Sequence, residues 1–182
     1  DLYALQWFTR TVMKSNNIAL AGGFPMAEAV RPALMAGGAP IRSLREAAVI
    51  LVIGADPCRS HPIVGLEIRH ALSRGAQVLV VDPRRSDLAR LTSQWLPVRA
   101  GTDHVLIAGL LAALGASGNE TAAALARRIS LQRAARVTGV GGAALRAAAQ
   151  ALASRAPVMI VYGSGVTHQP QALLQRACVL RD

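Results

Sequence analysis

Four short segments of the sequence combine residue types that bind phosphorylated ligands. Gly54 would let the backbone approach a phosphate, and the helix predicted after it would present an N-terminus that favours an anion. Asp82 could accept hydrogen bonds from a sugar or a base, and Arg84 with Arg85 could hold phosphates. The four segments are residues 54–60, 82–85, 99–103 and 163–169.

Each segment also has an ordinary structural interpretation. Gly54 could lie in a plain turn between a strand and a helix, and Asp82 could cap the turn before Pro83. Arg84 could simply face water, and Asp103 could do no more than complement the dipole of a helix. The full dinucleotide fingerprint G-x-G-x-x-G is absent from the sequence, which disfavours a standard NAD site.

Three further side chains have possible chemical roles. Cys58 could be a thiolate ligand, a redox thiol or merely a small loop residue. His61 could contact a ligand or start a helix beside Pro62. Ser164 lies in Gly-Ser-Gly, which does not meet the nucleophile pattern G-x-S-x-G, and the histidines lack metal-ligand spacing. These side chains therefore define no catalytic or metal site.

Buried strands alternating with helices must position the four segments. Because parallel strands joined by helices share one direction, the pattern predicts a three-layer α/β fold with a mostly parallel sheet and helices on both faces. Ligands bind beyond the carboxyl ends of such strands, so Gly54, Asp82, Gly101 and Gly163 should cluster at one edge. Apolar runs predict buried strands at residues 48–53, 78–81 and 157–162, and an edge or irregular strand at 95–98. Helices are predicted at residues 1–14, 26–30, 62–73 with Ser60 as N-cap, 87–91 with Ser86 as N-cap, 103–114 with Thr102 as N-cap, in two or three pieces over 119–153, and at 169–180.

Composition excludes several classes of protein. With 52% hydrophobic and 16% charged residues among 182, the chain is not intrinsically disordered, and its apolar runs are shorter than the ~20 residues of a membrane span. Two cysteines exclude a disulfide scaffold and a Cys-rich zinc or iron–sulfur site on this chain. The net charge of +10 could mark a nucleic-acid surface, but the arginines are scattered. We therefore expect no nucleic-acid partner.

The domain organisation follows from these elements. We expect a single α/β region over residues 1–182, with an irregular or helical lead-in at 1–45. Residues 46–182 should form a doubly wound core with a helical insert at about 119–153. Because the chain opens with Asp1 and not with Met, we expect it to be a fragment of a larger multidomain chain.

Three motifs at this spacing resemble those of the molybdopterin oxidoreductase family, which includes formate dehydrogenases, nitrate reductases and the large iron–sulfur subunit of NADH–quinone oxidoreductase (respiratory complex I). The motifs are GADPCRSHP at residues 54–62, RGAQVLVVDPRR at 74–85 and VRAGTD at 98–103. Residues 2–17 resemble the helix and Asn-Asn turn before the family's metal-site region, and residues 158–169 resemble a later strand and loop. The resemblance thus covers nearly the whole chain.

The resemblance implies a cofactor site and no catalytic or metal-ligating residue in this chain. In active family members these loops hold the guanosine end of a molybdopterin guanine dinucleotide. The residues that the resemblance assigns to that site are Gly54, Asp56, Ser60, His61, Asp82, Arg84, Gly101 and Asp103.

Two departures from the family pattern shape the expected function. Asp56 stands where the family usually has Asn, and an added anion should weaken pyrophosphate binding unless it is neutralised. Residues 18–40 contain no Cys, Ser or Asp, although family enzymes carry a Cys or selenocysteine metal ligand shortly after the Asn-Asn turn. The resemblance is therefore strongest to the complex I branch of the family, in which the fold is generally a structural remnant without molybdenum.

In that branch the chain would scaffold electron transfer from NADH towards quinone and would be inactive alone. It would hold no cofactor unless the dinucleotide site is intact, and iron–sulfur clusters would lie on an upstream part of the parent protein. Its partners would be the rest of the parent chain and other subunits of a cytoplasmic respiratory complex, peripheral to the membrane through those subunits. Two alternatives stay open: part of a molybdenum bis-molybdopterin guanine dinucleotide enzyme such as formate dehydrogenase, and a stand-alone nucleotide-binding module.

Overall fold

Alternating strands and helices make up the computed structural model, which describes residues 2–18, 38–92, 94–115 and 120–167. The strands are β1 (Val49–Ile53), β2 (Gln77–Val81), β3 (Gln94–Leu96) and β4 (Val158–Tyr162). The helices are α1 (Leu2–Thr11), a 3-10 helix (Ile41–Glu46), α2 (Pro57–Ser60), α3 (Pro62–Ser73), α4 (Asp87–Leu91), α5 (Asp103–Ala113), α6 (Glu120–Arg128), α7 (Leu131–Thr138), α8 (Gly142–Ser154) and α9 (Ser164–Thr167).

The four strands form one parallel sheet in the order β3-β2-β1-β4. Val49 at the start of β1 lies opposite Gln77 of β2 and Val158 of β4. The chain steps outward from β1 to β3 and then returns to the far side of β1 to form β4. The strand order therefore reverses between β1 and β4, and a crevice at the carboxyl ends of these two strands is the usual ligand position in such sheets. The expected α/β fold is confirmed, with β3 at an edge.

Helices cover both faces of β1 and β2, which explains why β1 is apolar at every position and β2 at every position after Gln77. On one face Val49, Leu51 and Ile53 belong to a core shared with α5, α7 and α8. On the other face Ile50 and Val52 belong to a core shared with the 3-10 helix, α3 and α4. A strand that is buried on both sides has no position for a polar side chain, and its sequence is therefore a continuous apolar run.

Small residues let the helices of the first core approach one another closely. A Cβ added at Gly109 of α5 would lie 2.4 Å from the Cβ of Ala134 in α7. Ala134 is fully buried, and alanines of α8 line the same core. The chain thus reaches a dense interior with only 3% aromatic residues, as expected for a core filled by alanine and aliphatic side chains.

One strand differs from the sequence expectation. The run at residues 157–162 predicts a strand buried on both faces, yet Val158, Ile160 and Tyr162 of β4 are 36%, 60% and 43% exposed. The other face of β4 is half-buried through Met159 and Val161. The prediction was wrong because an apolar run specifies a strand but not the elements that cover it, and β4 lies at an edge of the described sheet.

Element boundaries largely follow the predictions. Helices α3 and α4 have the predicted ends, Gly75 follows α3 with a φ of +90°, and Ser86 caps α4 by accepting a hydrogen bond from the Ala89 amide. Ser60 is not the N-cap of α3, because it ends α2 and His61 occupies the cap position. The helices predicted at residues 26–30 and 169–180 lie outside the described residues.

An ion pair between the exposed Arg45 and the buried Glu67 fixes the lead-in to the second core. The guanidinium of Arg45 on the 3-10 helix donates two hydrogen bonds to the carboxylate of Glu67 on α3. These bonds hold the pKa of Glu67 below its usual value.

Among the described helices none is long and apolar enough to cross a membrane.

Candidate functional site

A cavity of about 940 Å³ opens at the carboxyl edge of the sheet. Each of the four strands contributes to its wall through the segment that follows it, with Gly54 after β1, Asp82 after β2, Gly101 after β3 and Gly163 after β4. The predicted clustering of these four residues is confirmed. The cavity is lined by all eight residues that the family resemblance assigned to a cofactor site: Gly54, Asp56, Ser60, His61, Asp82, Arg84, Gly101 and Asp103.

The loop after β4 lies directly on the loop after β1 and forms part of the cavity wall. The Gly163 amide donates to the Ile53 carbonyl at 3.2 Å, and the Gly165 amide donates to the Gly54 carbonyl at 3.0 Å. A Cβ at Gly165 would lie 2.8 Å from the Cα of Gly54. Gly54 itself has a φ of +56°, a conformation that glycine adopts without strain. Sequence reasoning considered Ser164 in this loop but missed the packing role of the two flanking glycines.

Two long helices begin at the cavity without a side-chain cap. His61 is the N-cap of α3, and its side chain accepts no hydrogen bond from the first turn. Thr102 is the N-cap of α5, but its hydroxyl donates to the Arg99 carbonyl at 2.7 Å and does not cap the helix. The N–H groups of the first turns thus donate to no N-cap side chain. Pro62 has no N–H and the Val105 amide donates to the Thr102 carbonyl at 3.0 Å, but N–H groups such as those of Ile63 and Val64 suit the binding of an anion.

Asp82 presents a buried carboxylate to the cavity. Its side chain is 3% exposed, and its Oδ1 accepts a hydrogen bond of 2.7 Å from the Arg84 amide and one of 3.4 Å from Arg84 Nε. Within the described parts of the chain Oδ2 accepts no hydrogen bond. A carboxylate oxygen of a largely buried side chain can be satisfied by an N–H or O–H donor of a ligand.

The backbone of Asp82 is held by a residue that sequence reasoning did not assign to the site. The indole Nε1 of Trp95 in β3 donates to the Asp82 carbonyl at 2.9 Å, and the Arg85 guanidinium lies 5.7 Å from the centre of the Trp95 ring. The cation–π contact and the hydrogen bond together fix the loop after β2. One aromatic residue on a short edge strand was the available signal.

Asp103 adds a second buried carboxylate at the start of α5, with 6% of the residue exposed. Its neighbour His104 is half-buried, and burial lowers the pKa of the imidazole while the charge of Asp103 opposes that shift. A carboxylate at the first helical position complements the helix dipole, as the structural interpretation proposed, and the same group lines the cavity.

Asp56 is the element of the wall that opposes an anionic ligand. It occupies the N-cap of α2 without making a capping bond, and its Oδ1 is buried without a hydrogen-bond partner in the described chain. Its carbonyl accepts a bond from the Ser60 hydroxyl, which lies 2.9 Å from His61 Nδ1. A carboxylate that lacks a partner should repel a nearby phosphate unless a cation or a donor neutralises it.

A smaller pocket of about 270 Å³ adjoins the cavity and shares Asp56, Arg59 and Arg84 with it. Its remaining wall adds Arg85 and Arg90, so four arginines surround a space that also contains two aspartates and a serine. Arg59 was not among the predicted site residues, since a single arginine in a loop gave no distinguishing signal. Its cationic side chain could offset the charge of Asp56 near a bound ligand.

The arrangement supports binding more than catalysis. No group of three His, Cys, Asp or Glu side chains within the described residues could hold a metal ion. Cys58 is a half-buried residue of α2 whose Cα would lie 2.8 Å from a Cβ added at Gly65, so it lies at a packing contact between α2 and α3. Two uncapped helix starts, two buried carboxylates and several arginines suit a ligand with phosphates and N–H donors.

Comparison with known proteins assigns the family. Residues 1–179 match the profile of the molybdopterin oxidoreductase family. The chain belongs to this family. The expectation from the three sequence motifs is therefore confirmed at the family level, and the parallel α/β fold agrees with it.

Three relatives indicate the range of this family. Over 116 residues the chain is 32% identical to the F420-dependent formate dehydrogenase subunit alpha of Methanocaldococcus jannaschii, covering 61% of this chain and 17% of the relative. Over 183 residues it is 26% identical to formate dehydrogenase H of Escherichia coli, covering 91% and 26%. The acetylene hydratase structure from Pelobacter acetylenicus has a TM-score of 0.62 and 25% identity, covering 78% and 23%.

The chain thus spans about a quarter or less of these relatives. None of the three is a complex I protein, so the assignment to that branch stays a prediction.

Proposed function

We propose that the chain is the dinucleotide-binding α/β region of a molybdopterin-dependent oxidoreductase of the formate dehydrogenase type. The observation that carries the proposal is the cavity at the reversal of strand order, where buried Asp82 and Asp103 lie beside two uncapped helix N-termini. The similarity of the chain to two formate dehydrogenases supports this type over the complex I branch, which the lack of Cys, Ser and Asp in residues 18–40 favoured.

The residues present fit the guanosine diphosphate part of a molybdopterin guanine dinucleotide. A guanine ring offers a ring N–H and an exocyclic amine, and both can donate hydrogen bonds to a carboxylate such as that of Asp82. Pyrophosphate oxygens suit the starts of α3 and α5, and Arg84 adds positive charge. The volume of about 940 Å³ lies within the ~300–1,000 Å³ range of small-molecule sites.

Most of the proposed site residues have a role in this assignment. Asp82 would accept hydrogen bonds from the base, and Asp103 would supply a second acceptor at the same wall. Gly54 and Gly101 would let the backbone approach the phosphates. The Ser60 hydroxyl, which donates to the Asp56 carbonyl, would orient the His61 imidazole beside them. When bound, the cofactor would supply the molybdenum-centred redox chemistry, while this chain would orient and desolvate its nucleotide end.

Isothermal titration of the chain with GDP and ADP tests the proposal. We expect GDP to bind about tenfold more tightly than ADP, because loss of each carboxylate-paired donor costs about 1–3 kcal/mol. Asp82→Ala should remove this preference, and Arg84→Ala should weaken both nucleotides. Asp87→Ala is the control, because Asp87 is an exposed carboxylate that pairs with Arg90 outside the main cavity. Absence of binding by both nucleotides at millimolar concentration would contradict the proposal.

The complex I branch is the second candidate, and one observation favours it. Residues 18–40 contain no Cys, Ser or Asp to ligate molybdenum. In that case the fold would be a scaffold for electron transfer from NADH towards quinone, held near the membrane by partner subunits of a respiratory complex. Metal and pterin analysis of the intact parent protein separates the two candidates: stoichiometric molybdenum supports the formate dehydrogenase type, and its absence supports the scaffold.

A further inference from the structure

Arg99, in the segment after β3, connects the cavity wall to the helices of the first core. Its Nη1 donates to the carbonyl of Arg136 at 3.1 Å and to that of Val137 at 3.3 Å. Its backbone amide donates to the Thr138 carbonyl at 2.9 Å. One residue thereby satisfies three of the last carbonyls of α7, which have no partner within the helix.

The same residue also closes the turn that leads into α5. The Arg99 carbonyl accepts hydrogen bonds from the Thr102 amide at 3.1 Å and from the Thr102 hydroxyl at 2.7 Å. Gly101 lies inside this turn with a φ of +80°, and both Gly101 and Asp103 line the cavity. Arg99 therefore holds the turn through its carbonyl and holds α7 through its side chain.

The end of α7 is a firm anchor for this contact. Thr138 is fully buried, and its hydroxyl donates to the Ala134 carbonyl at 2.7 Å and accepts from the Val140 amide at 3.3 Å. Gly139 ends the helix with a φ of +77°, and a Cβ added there would lie 3.2 Å from Arg99 Nε. The Arg99 side chain thus lies over a helix end that is fixed on both sides.

We propose that Arg99 is a positioning residue for the cavity, which fixes Gly101 and Asp103 by tying their turn to α7. A guanidinium suits this role because its planar array of donors can reach two successive carbonyls. The consequence for binding rests on the proposed function: a turn released from α7 would hold Asp103 less firmly against the base of a guanine nucleotide. Phosphate contacts at α3 would persist, so base preference should suffer more than phosphate binding.

Amide hydrogen exchange of the ligand-free chain tests the structural part. We expect Arg99→Ala to speed exchange in residues 101–106 by about tenfold, while exchange in Pro62–Ser73 of α3 stays unchanged. Arg136→Ala is the matched control, because it removes a neighbouring exposed arginine but keeps the main-chain carbonyl that Arg99 uses. An equal rise in both segments, or an equal effect of the control, would overturn the proposal.

Nucleotide titration tests the functional part. We expect Arg99→Ala to weaken GDP by about fivefold and ADP by less than twofold, and Arg99→Lys to recover part of the GDP affinity through its ammonium donors. Equal weakening of GDP and ADP, or no recovery by lysine, would contradict the positioning role. If the wild-type chain binds neither nucleotide, the proposed function fails, and the exchange measurement still decides the role of Arg99. Should Arg99→Ala fail to fold, Arg99→Gln and Arg99→Lys carry the same comparison.

Discussion

The helices that start at the cavity differ from those that start elsewhere in the fold. Helices α4 and α7 begin with Ser86 and Ser130, whose hydroxyls accept hydrogen bonds from the amides of Ala89 and Arg133. Helices α3 and α5 begin at the cavity and have His61 and Thr102 as N-caps. The His61 side chain makes no capping bond, and the Thr102 hydroxyl donates to the Arg99 carbonyl. A missing cap alone does not mark a site, because α8 begins with Gly141 away from the cavity.

The cavity is distinguished by polar N-cap side chains that form hydrogen bonds with other groups and do not cap their helices. The Thr102 hydroxyl donates to Arg99, and the His61 imidazole lies within hydrogen-bond distance of Ser60. A capping side chain typically stabilises a helix by about 1 kcal/mol, so two diverted caps on one wall sacrifice stability. We infer that a helix start suited to a ligand can be recognised when its N-cap side chain forms a hydrogen bond elsewhere.

The largest expected effect is a loss of stability at two tightly packed glycines, Gly109 between helices of the first core and Gly165 at the cavity. Gly109→Ala and Gly165→Ala should each lower the free energy of unfolding by about 2 kcal/mol, because the new methyl group meets Ala134 or Gly54. Only Gly165→Ala should also weaken nucleotide binding, since Gly165 lines the cavity. Thermal denaturation and titration measure both effects, with Gly38→Ala as a control in open space. Equal loss of binding in both variants would erase the distinction.

The next effect concerns the N-cap of α7, a helix of the first core. Ser130→Ala should lower the free energy of unfolding by about 1 kcal/mol, because the Arg133 amide loses its acceptor. Binding of GDP should not change, since Ser130 does not line the cavity. Denaturant unfolding and calorimetry provide the two readings. A change in nucleotide affinity would mean that the N-terminal end of α7 is coupled to the cavity, in addition to the C-terminal end that Arg99 contacts.

Building the missing cap at α3 sharpens the comparison. His61→Ser supplies a neutral acceptor, whereas His61→Ala removes the imidazole without replacing it. The serine variant should be about 1 kcal/mol more stable than the alanine variant, because its hydroxyl can cap the first turn. It should bind GDP about fivefold more weakly than the alanine variant, since the hydroxyl competes with phosphate for the same amides. Equal affinity of the two variants for GDP would show that these amides are not used.

The smallest expected effect is at Asp56. Asp56→Asn should tighten GDP binding by about threefold at low salt, because it removes a negative charge from the cavity wall. The gain should shrink as salt screens the interaction. Asp87→Asn is the charge-matched control, since Asp87 lies only on the wall of the smaller pocket. Tighter binding by wild type than by Asp56→Asn would instead assign Asp56 as an acceptor for the ligand.

Patterns with a local physical cause could be predicted from the sequence. β1 was predictable because strands buried on both faces are apolar throughout, and the Ser86 cap because serine before a helix forms a local bond. The clustering of the four loops was predictable because parallel strands bring their carboxyl ends together. Properties that depend on distant contacts could not be predicted, such as the exposure of β4 and the support of Asp82 by Trp95.

The same limit applies to the candidate site. The eight predicted residues that line it follow from strand ends and family motifs, but the diversion of the Thr102 hydroxyl depends on a turn whose closure involves Arg99. The packing of Gly165 on Gly54 depends on β4 lying next to β1, which the order of strands along the chain does not specify. Contacts between segments far apart in sequence therefore had to come from the fold.

The exposed face of β4 has a consequence for the solubility of the chain. Val158–Tyr162 is an uncharged, apolar strand at an edge of the described sheet, and such strands tend to pair with strands of other molecules. The net charge of +10 opposes this pairing through mutual repulsion. Because salt screens that repulsion, self-association should rise with ionic strength, and a lysine at Ile160 should suppress it.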